Sequence, residues 1–337
     1  MELDIILEAD LRPAEITELG LLAEKYGFRG LWAQNYARAR DAFMTMVPVA
    51  AATKKIRLGV VVVSPYEMHP LKIANAVLTL NEYSGGRGMV VVGAGGEWPG
   101  VMNVGYGKRI TGTREALEII KRSFQDKSLN YDGDVYSVRG FASPWHTDAL
   151  PLVYDGASGP QMLRMAAGVA DGIMMSDVQP VMLGDRMPRL AADLQENGRS
   201  IDDFFINNFI AWHVKEDKEA SLREARRELI IRGWLEREWL EPFISEEEAD
   251  AIIANNKWPF LKAFRDRTGN IDDVPEHVVE ALVEGLSLAG DLSDIDRHIE
   301  RLREFASAGF TEIALRVHDN PAESIKMIGD RVLPALQ

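Results

Sequence analysis

Gly93-Ala94-Gly95-Gly96-Glu97-Trp98 follows an apolar run and matches part of a dinucleotide-binding fingerprint. Its sixth position is Trp98 instead of glycine, and the next long helical pattern begins only near Thr113. This disfavours a Rossmann turn. Glycines after a strand still let backbone approach a flat ring or a phosphate closely. A loop that only needed positive φ angles would read the same way. Asp155-Gly156-Ala157-Ser158-Gly159-Pro160-Gln161 is a second such place. There a strand ends, small residues follow, and a proline opens a helix. Free backbone N–H groups at that helix start make an anion site, with a plain connecting turn as the alternative. Ser158 is not in a nucleophile elbow, because Pro160 stands where the motif needs its last glycine.

The polar side chains at expected strand ends are Glu8, Asn35 and Tyr36. A phenol there can donate a hydrogen bond or a proton, and a carboxylate can orient or accept one. The bland readings are a loop-packing Tyr36 and a surface Glu8. The histidines are His69, His146, His213, His277, His298 and His318. No two have the H-x-x-x-H spacing of a helical metal pair, so no metal site is expected. His213, beside Trp212, could face a pocket or be a satisfied structural residue. His277 and His298 sit in charged helical stretches and are expected to be solvated.

These residues need a frame to hold them. The chain has 337 residues, a formal net charge of -14, no cysteine, 28 glycines and 15 prolines. Its length suits one large α/β domain or two smaller ones. The lack of cysteine excludes disulfides, thiolate catalysis and cysteine-ligated clusters. The acidic balance argues against a nucleic-acid binder, and no apolar run reaches the roughly 20 residues of a membrane span. The start, MELDIILEAD, lacks the basic-then-apolar order of a secretory signal, so a cytoplasmic protein is expected.

Short β-branched runs alternate with amphipathic stretches. This predicts strands at 3–8, 30–33, 56–63, 88–93, 152–155, 172–175, 204–214 and 312–317, with helices near 14–26, 70–83, 113–124 and 321–336. Asn320 is expected to cap the last helix. Eight β–α units in one chain predict a single (β/α)8 barrel over 1–337, with chemistry at the strand C-termini. Residues 128–149 read as a hairpin excursion, from Asp132-Gly133. Residues 216–285 read as a helical insertion after the seventh strand. Its Trp234, Trp239 and Trp258 suggest a wall over the barrel mouth or a subunit contact.

Several segments together resemble a family. They are Ile56-Arg57-Leu58-Gly59 with Ser64-Pro65 and His69-Pro70, then Leu80 to Arg87, Gly93-Ala94-Gly95, Gly156 to Leu163, and Ala170-Asp171-Gly172. Their order and spacing are similar to those of the bacterial luciferase-like flavin and deazaflavin oxidoreductases, nearest the coenzyme F420-dependent methylenetetrahydromethanopterin reductases. The resemblance implies a luciferase-like TIM barrel that transfers hydride between F420 and a C=N, C=O or activated C=C carbon of a small molecule. It implies a non-proline cis peptide at Val61–Val62, with Ser64 beside it. Gly93, Ala94, Gly95 and Gly96 would border the cofactor tail. Ala157, Ser158 and Gly159 would meet its phosphate, with Ser176 on the facing strand. Lys108 falls at the family's pre-helix lysine, and Arg109 and Arg114 could extend a basic path for the anionic tail. A homodimer is implied, its contact expected on the helices near 42–53 and 70–84. The pattern departs at Asn35 and Tyr36, where many deazaflavin-using relatives carry Asp-His. That leaves two alternatives to an F420 enzyme. One is an FMN-dependent monooxygenase served by a separate flavin reductase. The other is a flavin-binding barrel without turnover.

Overall fold

The computed structural model describes residues 1–8, 10–145 and 149–336. Eight parallel strands form a closed ring: β1 (Glu2–Leu7), β2 (Gly30–Gln34), β3 (Arg57–Val63), β4 (Gly88–Val92), β5 (Leu152–Asp155), β6 (Gly172–Ser176), β7 (Phe205–Trp212) and β8 (Glu312–Val317). Each strand pairs with its neighbours in sequence. β8 pairs with both β7 and β1, and β6 pairs with β7, so no edge is left. The expected (β/α)8 barrel is therefore present, with every strand boundary within two residues of the sequence reading.

Period-two alternation sorts the side chains. Outward residues such as Leu3, Ile5, Leu58, Val60 and Ile313 join the helices in one large core. Inward residues build three layers. The middle layer is apolar and aromatic, with Ile6, Trp32, Met89, Val91, Tyr154, Met174 and Ala314. Trp32 fits only because residue 59 is glycine: a Cβ there would lie 2.2 Å from the indole.

The layer at the strand N-termini is ionic. Arg29 donates to Asp4 at 2.6 and 2.9 Å and faces Glu312 at 2.6 Å. Trp32 Nε1 also donates to Asp4, and Asn207 donates to Glu312. One guanidinium thus serves two carboxylates that are almost completely buried. Burial pushes Glu312 up to about 7; Arg29 opposes the rise and Asp4 adds to it.

Leu129–Asp132 pairs antiparallel to Ser137–Phe141 in a two-stranded sheet separate from the barrel. His146 lies outside the described residues. The insertion after β7 has its own core of Leu229, Leu235, Leu240, Phe260, Leu282 and Leu286. A two-residue strand, Ser287–Leu288, returns from it along β7.

Three expectations need correction. Asn320 makes no capping bond; its backbone is left-handed (φ 59°), a turn that asparagine tolerates, and the helix starts at Pro321. His298 is buried, not solvated. It falls on the apolar stripe of helix Ile295–Ser307 with Ile295, Ile299 and Leu302, and its Nε2 meets the Ala289 carbonyl at 3.0 Å. The helix after β4 does not wait for Thr113. A single turn, Glu97–Val101, follows Gly96 directly, and the long helix runs from Arg109 to Gln125. Gly96, at φ 119°, makes the abrupt entry possible. His277 is exposed and paired with Glu248, as expected.

Arg29→Met should destabilise the protein by about 3–5 kcal/mol, because it leaves two buried carboxylates without a cation. Urea unfolding at neutral pH checks this, and a loss below about 1 kcal/mol would contradict it.

Candidate active site

The strand C-termini open into a cavity of about 2450 Å³. Its floor is apolar, made by Ile6, Val61, Val62, Val91, Met174 and Phe209. The Val61–Val62 peptide is cis. Gly93 and Gly156, at the ends of β4 and β5, both pack against the Val62 side chain. A Cβ on Gly93 would lie 2.8 Å from Val62 Cγ2, so glycine leaves that side chain its place. Asn35 braces this peptide through its backbone N–H, which donates to the Val61 carbonyl at 2.9 Å, while its Nδ2 donates to the next carbonyl, of Val62, at 3.1 Å and to Glu67 at 2.5 Å.

One wall is the start of helix Pro160–Val169. Ala157 and Ser158 line the cavity there, and the N–H groups of a first helical turn have no acceptor within the helix. Gly95, Gly96, Tyr106 and Arg109 continue the wall, with the Arg109 guanidinium 4.3 Å from the Tyr106 ring centroid. The opposite rim comes from the insertion, where Trp234, Leu261 and Phe264 face the opening. Trp234 is 61% exposed, which suits a wall better than a core position. Arg232 anchors this rim. Fully buried, it donates to Asp177 at 2.9 Å, just past the end of β6.

The polar end lies where β1, β2 and β8 finish. The inward alternation of β1 continues from Asp4 and Ile6 to Glu8, and that of β8 from Ala314 to Arg316 and His318. Three donors converge on Glu8 Oε1: Arg316 Nε at 3.0 Å, His318 Nδ1 at 3.0 Å and Gln34 Nε2 at 3.2 Å. Arg316 also donates to the Tyr36 hydroxyl at 2.6 Å. Burial alone would raise the Glu8 carboxyl, but Arg316 and His318 outweigh it and hold it below the ordinary carboxylate range. Burial raises the Tyr36 phenol far above its usual value despite Arg316, so it stays a neutral O–H. Glu228, from the insertion, accepts from Arg227 and Arg267 and is held ionised in the same way.

The sequence-derived candidates divide clearly. Glu8, Asn35, Tyr36, Val61, Val62, Gly93, Gly95, Gly96, Ala157, Ser158 and Ser176 all line the cavity. Four others lie off its wall. Ser64 is fully buried and accepts from the Tyr66 N–H, shaping the loop after β3. Ala94 and Gly159 stand beside lining residues. Lys108 reaches away to Asp134 at 3.1 Å, and Arg114 pairs with Glu118, so only Arg109 of the expected basic path borders the cavity. His213 is fully buried, which matches its structural reading.

Sequence reasoning missed Arg316, His318, Glu67 and Glu228. The first two were accessible through alternation in EIALRVH, where every second residue faces inward. Glu67 and Glu228 come from loop and insertion positions that carry no such period. Asp155 is fully buried with neither oxygen partnered among the described residues, and burial raises its carboxyl well above the ordinary range.

A parallel barrel with an apolar floor, a helix start at one side and a charged pocket at the other is the frame of a cofactor-dependent oxidoreductase. The chain belongs to the luciferase-like monooxygenase family, whose model matches residues 2–312. It is 28% identical to the 5,10-methylenetetrahydromethanopterin reductase of Archaeoglobus fulgidus, over the whole of both chains. It is 24% identical to an F420-dependent glucose-6-phosphate dehydrogenase of Microbacterium testaceum, covering 96% of this chain and 94% of that one. Among solved structures, the coenzyme F420-dependent tetrahydromethanopterin reductase of Methanopyrus kandleri superposes with a TM-score of 0.81 over 100% of this chain and 99% of that one, at 24% identity. An F420-dependent secondary alcohol dehydrogenase gives 0.76 over the same shares, at 19% identity. Both structural likenesses support the fold.

Burial pushes the Glu67 carboxyl up to about 7, and the hydrogen bond from Asn35 only partly opposes this. The folded state therefore binds more protons than the unfolded chain between about pH 4.5 and 7, and stability falls as pH rises through that window. Glu67→Gln should remove this slope and be more stable than the parent at about pH 8. The gain should be roughly 1–2 kcal/mol, after discounting for solvent near the site. Unfolding midpoints at pH 5 and 8 for both proteins check it; parallel shifts would contradict it.

Proposed function

We propose that the protein is an F420-dependent oxidoreductase acting on a small organic molecule. The observation that carries this reading is the floor at Val62. A peptide braced by Asn35 and packed on one side against Gly93 and Gly156 offers an apolar face to a flat tricyclic ring. A bound deazaflavin supplies a carbon that donates or accepts hydride at the strand ends. The curated relatives named above support this cofactor over FMN.

Each part of the chain then has a task. Val61, Val62, Val91 and Gly93 hold the ring against one face and keep water from it. Ala157 and Ser158 offer N–H groups to a tail phosphate, and Arg109 gives the anionic tail a cation beside the Tyr106 ring. Trp234, Leu261 and Phe264 cover the acceptor side, where excluding water protects hydride transfer. Glu8, Tyr36 and Arg316 form a hydrogen-bonding end for an oxygen or nitrogen of the substrate. The protein contributes orientation and a low-dielectric site, as cofactor enzymes generally do. We further read it as a cytoplasmic homodimer, because Met44 and Tyr83 stand exposed on helices Ala42–Ala52 and Pro70–Tyr83.

Fluorescence titration of the purified protein with F420 and, separately, with FMN tests the reading. F420 should bind at least about tenfold more tightly, a difference of roughly 1.4 kcal/mol. The reverse preference would sink the deazaflavin reading and direct the search to oxygen-consuming reactions with a partner reductase. Light scattering at micromolar concentration should give twice the chain mass.

A further inference from the structure

We propose that His318 carries the proton that accompanies hydride transfer at this site, with Glu8 as the carboxylate that orients it; the proposal rests on the oxidoreductase reading above. A substrate whose carbon gains or loses hydride must also gain or lose a proton at its oxygen or nitrogen. Three polar side chains at the charged end of the cavity could handle it. Glu8 is held ionised beneath Arg316, so it has no proton to give. Tyr36 already accepts from Arg316 at 2.6 Å, and burial keeps its own proton bound too tightly for easy transfer. His318 is left, and its surroundings suit the task.

The His318 ring lines the cavity and is otherwise almost wholly enclosed. Its Nδ1 lies 3.0 Å from Glu8 Oε1, a contact that fixes the tautomer with Nδ1–H donating to the carboxylate. Nε2 is then a lone pair that is buried and has no partner among the described residues, an acceptor left for a group that enters beside the ring. This is the carboxylate–imidazole arrangement of a general base, in which the anion orients the ring and stabilises the imidazolium that forms. The other face of the ring is covered by His213, stacked at 4.9 Å with the planes 12° apart. His213 is tied to Glu224 at 2.7 Å, and burial lowers it to about 4, so it stays neutral. The charged groups around the pair are Glu8 and Arg316 on the barrel side, Glu224, Glu228 and Arg232 from the insertion, and Lys215 after β7.

In the oxidative direction, Nε2 takes the proton of a substrate hydroxyl or amine as the neighbouring carbon gives up hydride. In the reductive direction, the imidazolium returns a proton to the oxygen or nitrogen, and water restores it. The electron pair travels with the hydride between carbon and the deazaflavin; only the proton passes through His318.

His318→Gln and His318→Asn test this together with two measurements on the parent. The probes are 5,10-methylenetetrahydromethanopterin, propan-2-ol and glucose 6-phosphate, each offered with F420 in the matching redox state. In both variants the Kd for F420, read by fluorescence quenching, should stay within about twofold. For any probe the parent turns over, kcat should fall about 10²- to 10⁴-fold with little change in KM, and the limb of the kcat–pH profile owed to the imidazole should vanish. Independently of turnover, ¹⁵N spectra of the parent's imidazoles should place the neutral-form proton of His318 on Nδ1. A kcat within threefold of the parent with an unchanged pH profile would overturn the proposal. So would joint loss of F420 binding and turnover, which marks a structural role, or an Nε2–H tautomer. Failure of the parent itself to bind F420 would instead sink the cofactor reading, and the tautomer would still decide for or against His318.

Discussion

A charge inside a closed barrel has little water to turn to, so each buried carboxylate needs a cation or must keep its proton. That constraint organises this molecule. At the strand N-termini Arg29 holds Asp4 and Glu312. At the C-termini Arg316 holds Glu8 and reaches on to Tyr36. At the rim Arg232 ties the insertion to Asp177. Asp155 has no such partner among the described residues, and burial raises its carboxyl well above the ordinary range. The two inner ionic layers are separated by Trp32, Tyr154, Met89 and their neighbours, which insulate one from the other. The lower layer can thus be structural while the upper one faces a ligand.

Strand alternation turns this layering into a site. Because neighbouring strands run parallel in register, inward residues of β1, β2 and β8 arrive at the same height. Ile6 pairs with Trp32 on one side and with Arg316 on the other. One step further along the chain, Gln34 and His318 join Arg316 on one oxygen of Glu8 without any special loop. Irregular backbone adds what alternation cannot: the braced peptide near the end of β3, the glycines after β4 and β5, and the aromatic rim of the insertion.

The strands were legible because near-continuous β-branched runs such as IRLGVVVV suit a sheet covered on both faces. The cavity floor was legible for a related reason: glycines immediately after strands signal close approach. The ionic end was only half legible. Glu8, Asn35 and Tyr36 stand at strand ends and could be picked out locally, but the cation that organises two of them lies some 300 residues away in sequence. Lys108 shows the opposite failure. Its position in the chain matched a pattern, while its side chain found a nearer anion in Asp134. His298 failed as well, because a charged stretch hid the apolar stripe on which it lies.

Asn35 and Tyr36 illustrate how little a strand end decides by itself. Asn35 turns to the backbone and to Glu67, so it shapes the floor and leaves the substrate end to others. Tyr36 lends a hydroxyl, but Arg316 has already claimed its lone pair. Tyr36 is paired with a cation alone, whereas the neighbouring ends of β1 and β8 bring a carboxylate and an imidazole into contact. Eight strand ends surround the pocket at similar distances. Proton chemistry absent from one strand end can therefore be supplied from another while the floor that would hold the ring stays unchanged.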